Sequence, residues 1–358
     1  MIRLGFVIPG SLDSPTGGTR YDRDVLARLS KFEIVANPLL VAACYPFPSD
    51  TDRLATKQSF LSASVDLFLI DGLVFGALSD QELAALQKPV LVLLHHPLAD
   101  ETGLAPDTAN QLYLREKHNL QHAQAVIVTS QKTKDRLIAH YDVKADDITV
   151  AEPGVTKPDR ITIRSPLSPD KPAKLLSVGG ISPRKNYGLV LDALALLPNQ
   201  HKWIWTIAGR LDDTNETQRL QKKTQDLGLI EQVQWLGSLS EERLAALYHD
   251  SDILLYPSHY EGYGMALDEA LAYGLPVLAS DHIPSAHAHA SPAIRCLDPL
   301  TPRAWCEALS DLLNDADSFH KACFSASELA KRLPDWDHPT DRIVSLITRI
   351  HQKGKSSP

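Results

Sequence analysis

Short apolar runs alternate with amphipathic segments along most of the chain, and this pattern predicts an α/β protein. Apolar runs without polar alternation are typical of parallel strands that are buried on both faces. In the first half they fall at Ile2–Ile8, Val65–Ile70, Val90–Leu94 and Ala125–Val128. In the second half they fall at Lys174–Val178, Trp203–Ala208, Gln232–Leu236, Ile253–Tyr256 and Pro276–Ala279.

The segments between these runs have the apolar spacing of helices. The clearest is Asn186–Leu197, whose apolar side chains fall on one face and which is followed by a proline. Further helices are predicted at Tyr21–Leu29, Asp80–Leu86, Thr133–His140 and, at the end of the chain, Asp337–His351. Strand and helix therefore alternate in both halves, which predicts two doubly wound, Rossmann-like sheets.

A change of composition separates the two halves. Four prolines stand among Ser, Asp and Lys between residues 156 and 172. We predict a first domain over residues 1–160, a linker over 161–172, a second domain over 173–335 and a terminal helix over 336–358. A length of 358 residues also favours two domains over one hydrophobic core.

Charge and composition argue against several classes of protein. The net charge is −8 and there is no long Lys/Arg block, so a nucleic-acid partner is not expected. No run approaches the about 20 apolar residues that span a bilayer, and the first residues are typical of a strand, not of a signal peptide. We predict a cytoplasmic protein, with a peripheral contact at the inner face of the membrane left open. Three basic residues on one predicted helix would make that contact, namely Lys132, Lys134 and Arg136. The favoured interpretation of these residues is a solvated face.

The four cysteines lie far apart and form no Cys-x-x-Cys pair, so we expect them to be reduced and mostly buried.

The most informative segment leads from the run Ile253–Tyr256 through a glycine loop into a helix that begins near Met265. Glycines in the loop let the backbone approach a ligand, and the start of the helix offers free amide groups to a phosphate. Glu261 precedes the helix, and Glu269 lies on it, where its carboxylate is placed to bind a pair of sugar hydroxyls. Two carboxylates and a helix amino terminus suit a nucleotide sugar.

This segment, Glu261-Gly-Tyr-Gly-Met-Ala-Leu-Asp-Glu269 and the Ala-Leu that follows, resembles the signature of retaining glycosyltransferases of family four. Further motifs of the second half fit the same family, namely Ser177-Val-Gly-Gly-Ile-Ser-Pro-Arg-Lys, Ile207-Ala-Gly, Val233-Gln-Trp-Leu-Gly-Ser and Gly274-Leu-Pro-Val-Leu-Ala-Ser. The first half is similar more loosely, through Gly17-Gly18, His95-His96-Pro97 and Val126-Ile-Val-Thr-Ser. The resemblance implies the GT-B fold, in which two Rossmann-like domains face each other across a cleft and a terminal helix, here after Trp336, crosses back to the first domain.

The resemblance also implies a function, the transfer of a hexosyl group from a nucleoside-diphosphate sugar to a hydroxyl acceptor with the anomeric configuration retained. Lys185 would stabilise the leaving diphosphate, with Arg184 either helping or exposed. Glu269 would bind the ribose hydroxyls and Glu261 those of the donor sugar. The backbone amides of three residues would lie near the donor: Gly264, Met265 and Ala266.

In the first half, the family places a histidine after a strand against the donor sugar, and alignment on Pro97 selects His95. His96 remains the alternative assignment, and Glu101 is a candidate to face the acceptor. Gly17 and Gly18 precede the helix predicted at Tyr21, and their loop either passes close to the diphosphate or is a tight turn.

The sequence departs from the family at one phosphate contact. Family members usually have an arginine directly after the glycine of the first loop of the second domain, and Gly180 stands at that position. Arg184 and Arg210 are the candidate substitutes.

Other motifs carry less weight. Asp50-Thr51-Asp52 has the form of a metal-binding motif of other sugar transferases, but it follows no clear strand, and no metal is expected. Surface positions are favoured over a metal site for His282, His287 and His289. No Gly-x-Gly-x-x-Gly follows the first strand, so a nicotinamide cofactor is disfavoured, and no cofactor besides the donor is predicted.

Two rival functions stay open, a GT-B-fold nucleotide-sugar epimerase and a non-catalytic nucleotide-sugar-binding subunit. The donor base, uridine or guanosine, and the acceptor, a glycan, a lipid-linked sugar or a small molecule, are also left open.

Overall fold

The computed structural model describes residues 1–14, 16–164, 167–168, 170–198, 200–211, 213–298 and 300–356. Its chain divides into two compact units, Met1–Gly154 together with the segment that starts at Trp336, and Val155–Asp335. Each unit is built on one six-stranded sheet in which every pairing is parallel. Three residues of the predicted linker, 165, 166 and 169, lie outside the described residues.

The sheet of the first unit has the order β2-β1-β3-β4-β5-β6. Its strands are β1 Ile2–Pro9, β2 Ile34–Val41, β3 Leu67–Asp71, β4 Val90–Leu94, β5 Ala125–Val128 and β6 Ile148–Val150. The apolar runs predicted β1, β3, β4 and β5 but not the two edge strands. The two edge strands are half exposed, so their apolar runs are not continuous. β6 has only three residues, and Pro38 lies in the middle of β2.

Helices cover both faces of this sheet and bury its apolar side chains. They are α1 Gly17–Leu29, α2 Asp50–Ser62, α3 Gly72–Phe75, α4 Asp80–Leu83, α5 Pro106–Leu120 and α6 Gln131–His140. A 3₁₀ turn, Leu98–Asp100, follows β4, and another, Ala145–Asp147, precedes β6.

The second unit has the sheet order β12-β11-β10-β7-β8-β9. Its strands are β7 Ala173–Val178, β8 Trp203–Ala208, β9 Val233–Gly237, β10 Ile253–Tyr256, β11 Val277–Ser280 and β12 Ile294–Leu297. Its helices are α7 Tyr187–Ala195, α8 Thr214–Asp226, α9 Glu241–Asp250, α10 Met265–Ala272, α11 Pro284–Ala288, α12 Pro302–Asn314 and α13 Ala316–Arg332. Strand β12, again at an edge and only partly buried, was not predicted.

Val155 and part of the predicted linker are anchored to the second unit. Val155 donates its amide to the carbonyl of Pro334. The buried guanidinium of Arg164 donates to the carbonyl oxygens of Tyr248, Ser251 and Tyr273 at 2.8–2.9 Å. These bonds explain why the chain divides at Gly154.

The last helix, α14 Asp337–Ser356, packs on the first unit, as the predicted fold class requires. Trp336, only 1% exposed, lies edge-on to Tyr21 with ring centroids 5.5 Å apart. The hydroxyl of Tyr21 donates to the carbonyl of Ala151 at 2.8 Å, and Lys31 pairs with Asp337 at 2.9 Å. Helix α1 is therefore held between the sheet and the end of the chain.

Two expectations about the surface can be compared with the structure. The four cysteines are free, but only Cys323 is buried and Cys44 is exposed, so the prediction that most are buried is wrong. Among the described helices, none combines the length and the apolar character that a membrane span needs.

Candidate functional site

The second unit has its topological switch point between β7 and β10, the two central strands whose connections leave in opposite directions. Open parallel sheets bind ligands outside the carboxyl ends of their strands at such a point. The loops that follow β7 and β10 cover residues 179–186 and 257–264, and they are joined where His259 donates its amide to the carbonyl of Arg184 at 2.9 Å. Two motifs far apart in the sequence thus meet at one edge.

An ion cluster occupies this edge. The Lys185 ammonium donates to Oε1 of Glu261 at 2.6 Å, and Arg184 donates to Oε2 at 2.7 Å. The side chains of Lys185 and Glu261 are each only 10% exposed. Burial by itself would raise the pKa of Glu261, but Lys185 and Arg184 outweigh burial and lower that pKa to about 2. Glu261 is therefore a carboxylate at neutral pH, and it neutralises part of the positive charge of the two cations.

A glycine makes room for the lysine. Gly179 has φ +149°, and a Cβ built on it would stand 2.7 Å from Cε of Lys185, so any larger residue displaces that side chain. Opposite the glycine, the Lys185 ammonium lies 5.1 Å from the centre of the Tyr256 ring, within range of a cation–π interaction. Backbone and ring together fix the position of the ammonium group.

Helix α10 begins at the same edge with its amide groups uncapped by any side chain. Its N-cap is Gly264, in the left-handed conformation with φ +108°, and a Cβ there would stand 2.6 Å from Ile283. Met265 and Ala266, the first helical residues, are partly exposed. The first turn of an uncapped helix presents N–H groups to an anion.

Glu269 lies on α10, partly exposed, one turn beyond these amides. One of its carboxylate oxygens accepts a hydrogen bond from the hydroxyl of Tyr248 at 2.7 Å, and the Tyr248 ring stacks on Tyr273 with centroids 5.5 Å apart. A tyrosine on α9 therefore orients the glutamate. Tyr248 was not predicted, because nothing in its local sequence distinguishes it from a core aromatic residue.

A buried carboxylate on α10 supports the glycine loop, residues 257–264. Asp268, 1% exposed, accepts a hydrogen bond from the Tyr263 hydroxyl at 2.8 Å and lies 2.9 Å from Nε2 of His289. Ser285 donates its amide to the carbonyl of Tyr263 at 2.9 Å. The surface position expected for His289 is wrong, since its side chain is only 12% exposed, whereas His287 is exposed.

Gly180, which stands where the family usually has an arginine, lies next to one of the two candidate substitutes, Arg210. Ile181 donates its amide to the carbonyl of Arg210 at 2.7 Å, and a Cβ on Gly180 would lie 3.7 Å from Cβ of Arg210. Arg184, the other candidate, is bound to Glu261 and to the carbonyl of Tyr260. Arg184 thus precedes Lys185 on the same loop, and Arg210 lies against the position of Gly180.

In the first unit the switch point lies between β1 and β3. Asp71 is the last residue of β3, His95 directly follows β4, and Asp22 lies on α1, the helix that follows β1. The His95 Nε2 atom lies 3.0 Å from Oδ1 of Asp22 and 3.4 Å from Oδ2 of Asp71. Burial by itself would lower the pKa of His95, but the two carboxylates outweigh burial and raise that pKa to about 10.

The predicted start of the helix that follows the two glycines is wrong. Helix α1 starts at Gly17, not near Tyr21, so both Gly17 and Gly18 lie in its first turn, behind the Thr16 N-cap. A Cβ on Gly18 would stand 3.0 Å from Cδ2 of His95. The glycine therefore lets the helix approach the imidazole, and the structure brings these two predicted residues together. His96, the alternative histidine, lies 3.5 Å from Glu101.

Two of the weaker motifs are explained by local structure. Asp50 and Asp52 lie in the first turn of α2, where Asp52 forms a capping box with Ser49, so they serve the helix start. In the basic helix patch, Lys132 is exposed, the side chain of Arg136 is 40% exposed and pairs with Asp100, and Lys134 donates to the carbonyl of Ile148.

Within the described part of the chain, one group of His and carboxylate side chains is compact enough to suggest a metal, namely Asp22, Asp71 and His95, whose ligand atoms lie within 4.8 Å of one another. The imidazole nitrogen that would bind the metal already contacts both carboxylates. The arrangement is that of an ion pair.

Comparison with protein-family models matches both halves of the chain. The model described as "Glycosyl transferases group 1" matches residues 159–328, and the one described as "Glycosyltransferase Family 4" matches residues 25–157. Similar proteins include a D-inositol 3-phosphate glycosyltransferase of Mycolicibacterium gilvum, 27% identical over 64% of this chain and 53% of that protein. The O-antigen chain mannosyltransferase RfbU of Salmonella typhimurium is 28% identical over 55% of this chain and 53% of that protein. The chain thus spans about half the length of the curated relatives it matches.

Solved structures are similar over nearly the whole chain. The sucrose-phosphate synthase of Thermosynechococcus elongatus superposes with a TM-score of 0.80 at 18% identity, over 99% of this chain and 100% of that one. Anabaena Alr3699/HepE, solved with UDP and glucose, superposes with a TM-score of 0.74 at 16% identity, over 98% and 100%. These likenesses concern the fold, and they confirm the predicted GT-B class.

Proposed function

Because the chain belongs to glycosyltransferase family four, we propose that it transfers a sugar from a nucleoside-diphosphate donor to a hydroxyl acceptor and retains the anomeric configuration. The donor binds at the switch point of the second unit. The resemblance of its glycine loop and two glutamates to the family signature assigns the residues that follow.

The observation that carries this proposal is the ion cluster beside the uncapped start of α10. A departing nucleoside diphosphate gains negative charge as the bond between sugar and oxygen breaks, and fixed cations and amide dipoles stabilise that charge. Lys185, which is buried, and Arg184, which is partly exposed, are cations on one loop, and the amides of Met265 and Ala266 lie at the end of the other. That combination is suited to a diphosphate.

The two glutamates then have separate roles. Glu269, oriented by Tyr248, binds the ribose hydroxyls. Glu261 binds hydroxyls of the donor sugar, for which it has to exchange its present bonds with Lys185 and Arg184 for bonds with the ligand. In that exchange the diphosphate accepts the hydrogen bonds of Lys185 and Arg184 in place of Glu261. The complex of Anabaena Alr3699/HepE with UDP and glucose, a structure of the same fold, supports a uridine nucleotide as the first donor to test.

Retention follows in this proposal from a front-face reaction. The acceptor oxygen bonds to the anomeric carbon on the face from which the diphosphate leaves, and a diphosphate oxygen takes the acceptor proton. No metal ion is needed, because the cations and amides balance the developing charge. Activity that persists in the presence of EDTA would support this, and activity restored only by a divalent cation would contradict it.

The first experiment is a thermal-shift panel with UDP, GDP and their sugar conjugates on the wild type, Lys185→Ala and Glu269→Ala. A ligand that binds only the folded protein raises its melting temperature. We expect one nucleotide family to stabilise the wild type and both variants to lose that shift. Lys222→Ala, in an exposed ion pair on α8, is the matched control and should keep it. No shift with any nucleotide would contradict the donor site.

Turnover assays then separate this function from its rivals. The donor nucleotide should be released faster when a hydroxyl acceptor is present, and proton NMR of the product should show the donor's anomeric configuration. An isomeric nucleotide sugar formed without acceptor would identify an epimerase, and binding without turnover would favour a non-catalytic subunit. The acceptor, a peripheral membrane contact and a cytoplasmic location stay predictions.

A further inference from the structure

The switch point of the first unit contains an arrangement that the proposed donor site does not use. Two carboxylates, Asp22 and Asp71, converge on one ring nitrogen of His95. Asp22 is 1% exposed and Asp71 is 2% exposed, while the imidazole side chain is 17% exposed. The acids lie beneath the ring, and the ring has access to solvent.

The carboxylates are held by different elements, so their convergence does not depend on one loop. Asp71 also accepts the amide of Leu73 at 2.7 Å as the N-cap of α3, which fixes its orientation. Asp22 lies on the buried face of α1. The carbonyl of His95 accepts the Thr129 hydroxyl at 3.1 Å, which fixes the histidine backbone from the β5 side.

Charge balance favours one protonation state of this cluster. Buried ions are stable only when they are paired, and two carboxylates beside a neutral imidazole would leave two uncompensated negative charges. An imidazolium, together with one proton on the carboxyl pair, makes the cluster neutral. Burial raises the pKa of the Asp22 carboxyl well above its usual range, in agreement with that second proton. The remaining titratable neighbours are Tyr21, edge-on to the ring at 5.4 Å, and the adjacent His96, which lies against Glu101.

We propose that Asp22 and Asp71 are positioning residues that keep His95 in its imidazolium form, so that its Nδ1–H is a permanent hydrogen-bond donor to an oxygen of the bound substrate. Among the described residues, the His95 ring contacts Asp22 and Asp71 through Nε2 alone. The other ring nitrogen, Nδ1, is left for a ligand. An imidazolium has two N–H donors and no acceptor. His95 therefore binds substrate oxygen and does not take the acceptor proton as a base.

The protonation state can be measured without any enzyme assay. The protein is labelled with ¹³C at Cε1 of its 14 histidines, and the signal that disappears in His95→Gln is assigned. We expect this signal to stay at its imidazolium position through pH 8 in the wild type. In Asp22→Asn and in Asp71→Asn its midpoint should fall by at least one pH unit. Asp24→Asn, on the same helix but paired with Arg28, is the control and should leave the midpoint unchanged.

A wild-type midpoint near 6.5, or one that neither asparagine variant moves, would overturn the proposal. So would a rise in melting temperature with Zn²⁺ or Mn²⁺ that Asp22→Asn abolishes, because the cluster would then be a metal site. If one asparagine variant fails to fold, the wild-type titration still tests the protonation state and the other variant tests the role of the acids.

The consequence for catalysis rests on the proposed function and has its own readout. The pH profile of kcat/KM should be flat from pH 6 to 8 in the wild type. In Asp22→Asn it should fall with pH over that range to the extent that the NMR midpoint falls, by about twentyfold for a midpoint at the ordinary histidine pKa of about 6.5. A profile that rises with pH in the variant would contradict the role as a donor. If no donor supports turnover at all, the proposed function fails, while the NMR result still stands.

Discussion

Removing the charge of Glu261 should have opposite effects on stability and on nucleotide binding. In the unliganded protein this carboxylate is the partner of Lys185 and Arg184. Glu261→Gln keeps the shape of the side chain but leaves the buried Lys185 and the partly exposed Arg184 without their anion. A nucleoside diphosphate can then supply the missing charge without displacing a competitor.

The size of the effect follows from the pKa. A pKa of Glu261 lowered from its usual 4.5 to about 2 corresponds to about 3 kcal/mol in favour of the paired carboxylate. Glutamine retains part of the hydrogen bonding, so we expect a loss of about 2 kcal/mol in the free energy of unfolding of the second unit. For a unit of this size that is a fall of roughly 4–8 °C in melting temperature. Recovery of about 1.4 kcal/mol on binding would tighten the Kd for a nucleoside diphosphate by about tenfold.

Calorimetric titration with UDP and GDP, which lack the sugar, isolates this competition from the loss of the sugar contact. Glu231→Gln, an exposed glutamate of the same unit, is the matched control and should change neither quantity. The double variant Lys185→Met/Glu261→Gln should be no less stable than Glu261→Gln and should bind the nucleotide weakly. A Kd that is unchanged or weaker in Glu261→Gln would refute the view that Glu261 and the diphosphate compete for the same cations.

Three further changes test other parts of the second unit. Gly179→Ala should weaken nucleotide binding because its Cβ would stand 2.7 Å from Cε of Lys185, whereas Gly180→Ala has room and should bind normally in the same titration. The lowered pKa of Glu261 makes its contribution to stability present above pH 4.5 and lost toward about pH 2, so melting temperatures of wild type and Glu261→Gln should converge in acid. Tyr263→Phe removes a donor from a buried carboxylate and should cost about 1 kcal/mol of stability and raise the donor KM.

The sequence was most informative where the structure is central and contiguous. Interior strands are buried on both faces, so their apolar runs predict them, and β4, β5, β8 and β10 have the predicted bounds. The donor loop could be predicted for a related reason. The short segment after β10 has to turn at Gly264 and start a helix that carries Glu269 one turn further on. These structural requirements fix particular residues at a fixed spacing.

Side chains that support the site from other elements have no such spacing. Asp22 and Asp268 are single acids on helices, and their histidine partners, His95 and His289, are distant in sequence. A weak signal existed, since Asp22 shares the buried face of α1 with Val25 and Leu29, where a charge is expensive. Asp71 ends an apolar run just as His95 follows one, and open α/β sheets bind ligands at such strand ends, so the position of this aspartate was itself a signal.

The cations and carboxylates at the two switch points share a physical feature that argues for function. Replacing a buried ion pair by well-packed apolar residues is often neutral or stabilising, so stability alone gives little reason to keep Lys185 with Glu261, or His95 with Asp22. Both pairs lie at the carboxyl ends of parallel strands, where ligands bind, and not in the apolar layers between sheet and helices. A ligand that exchanges with Glu261, or accepts a hydrogen bond from His95, explains why buried charge is retained at these two places.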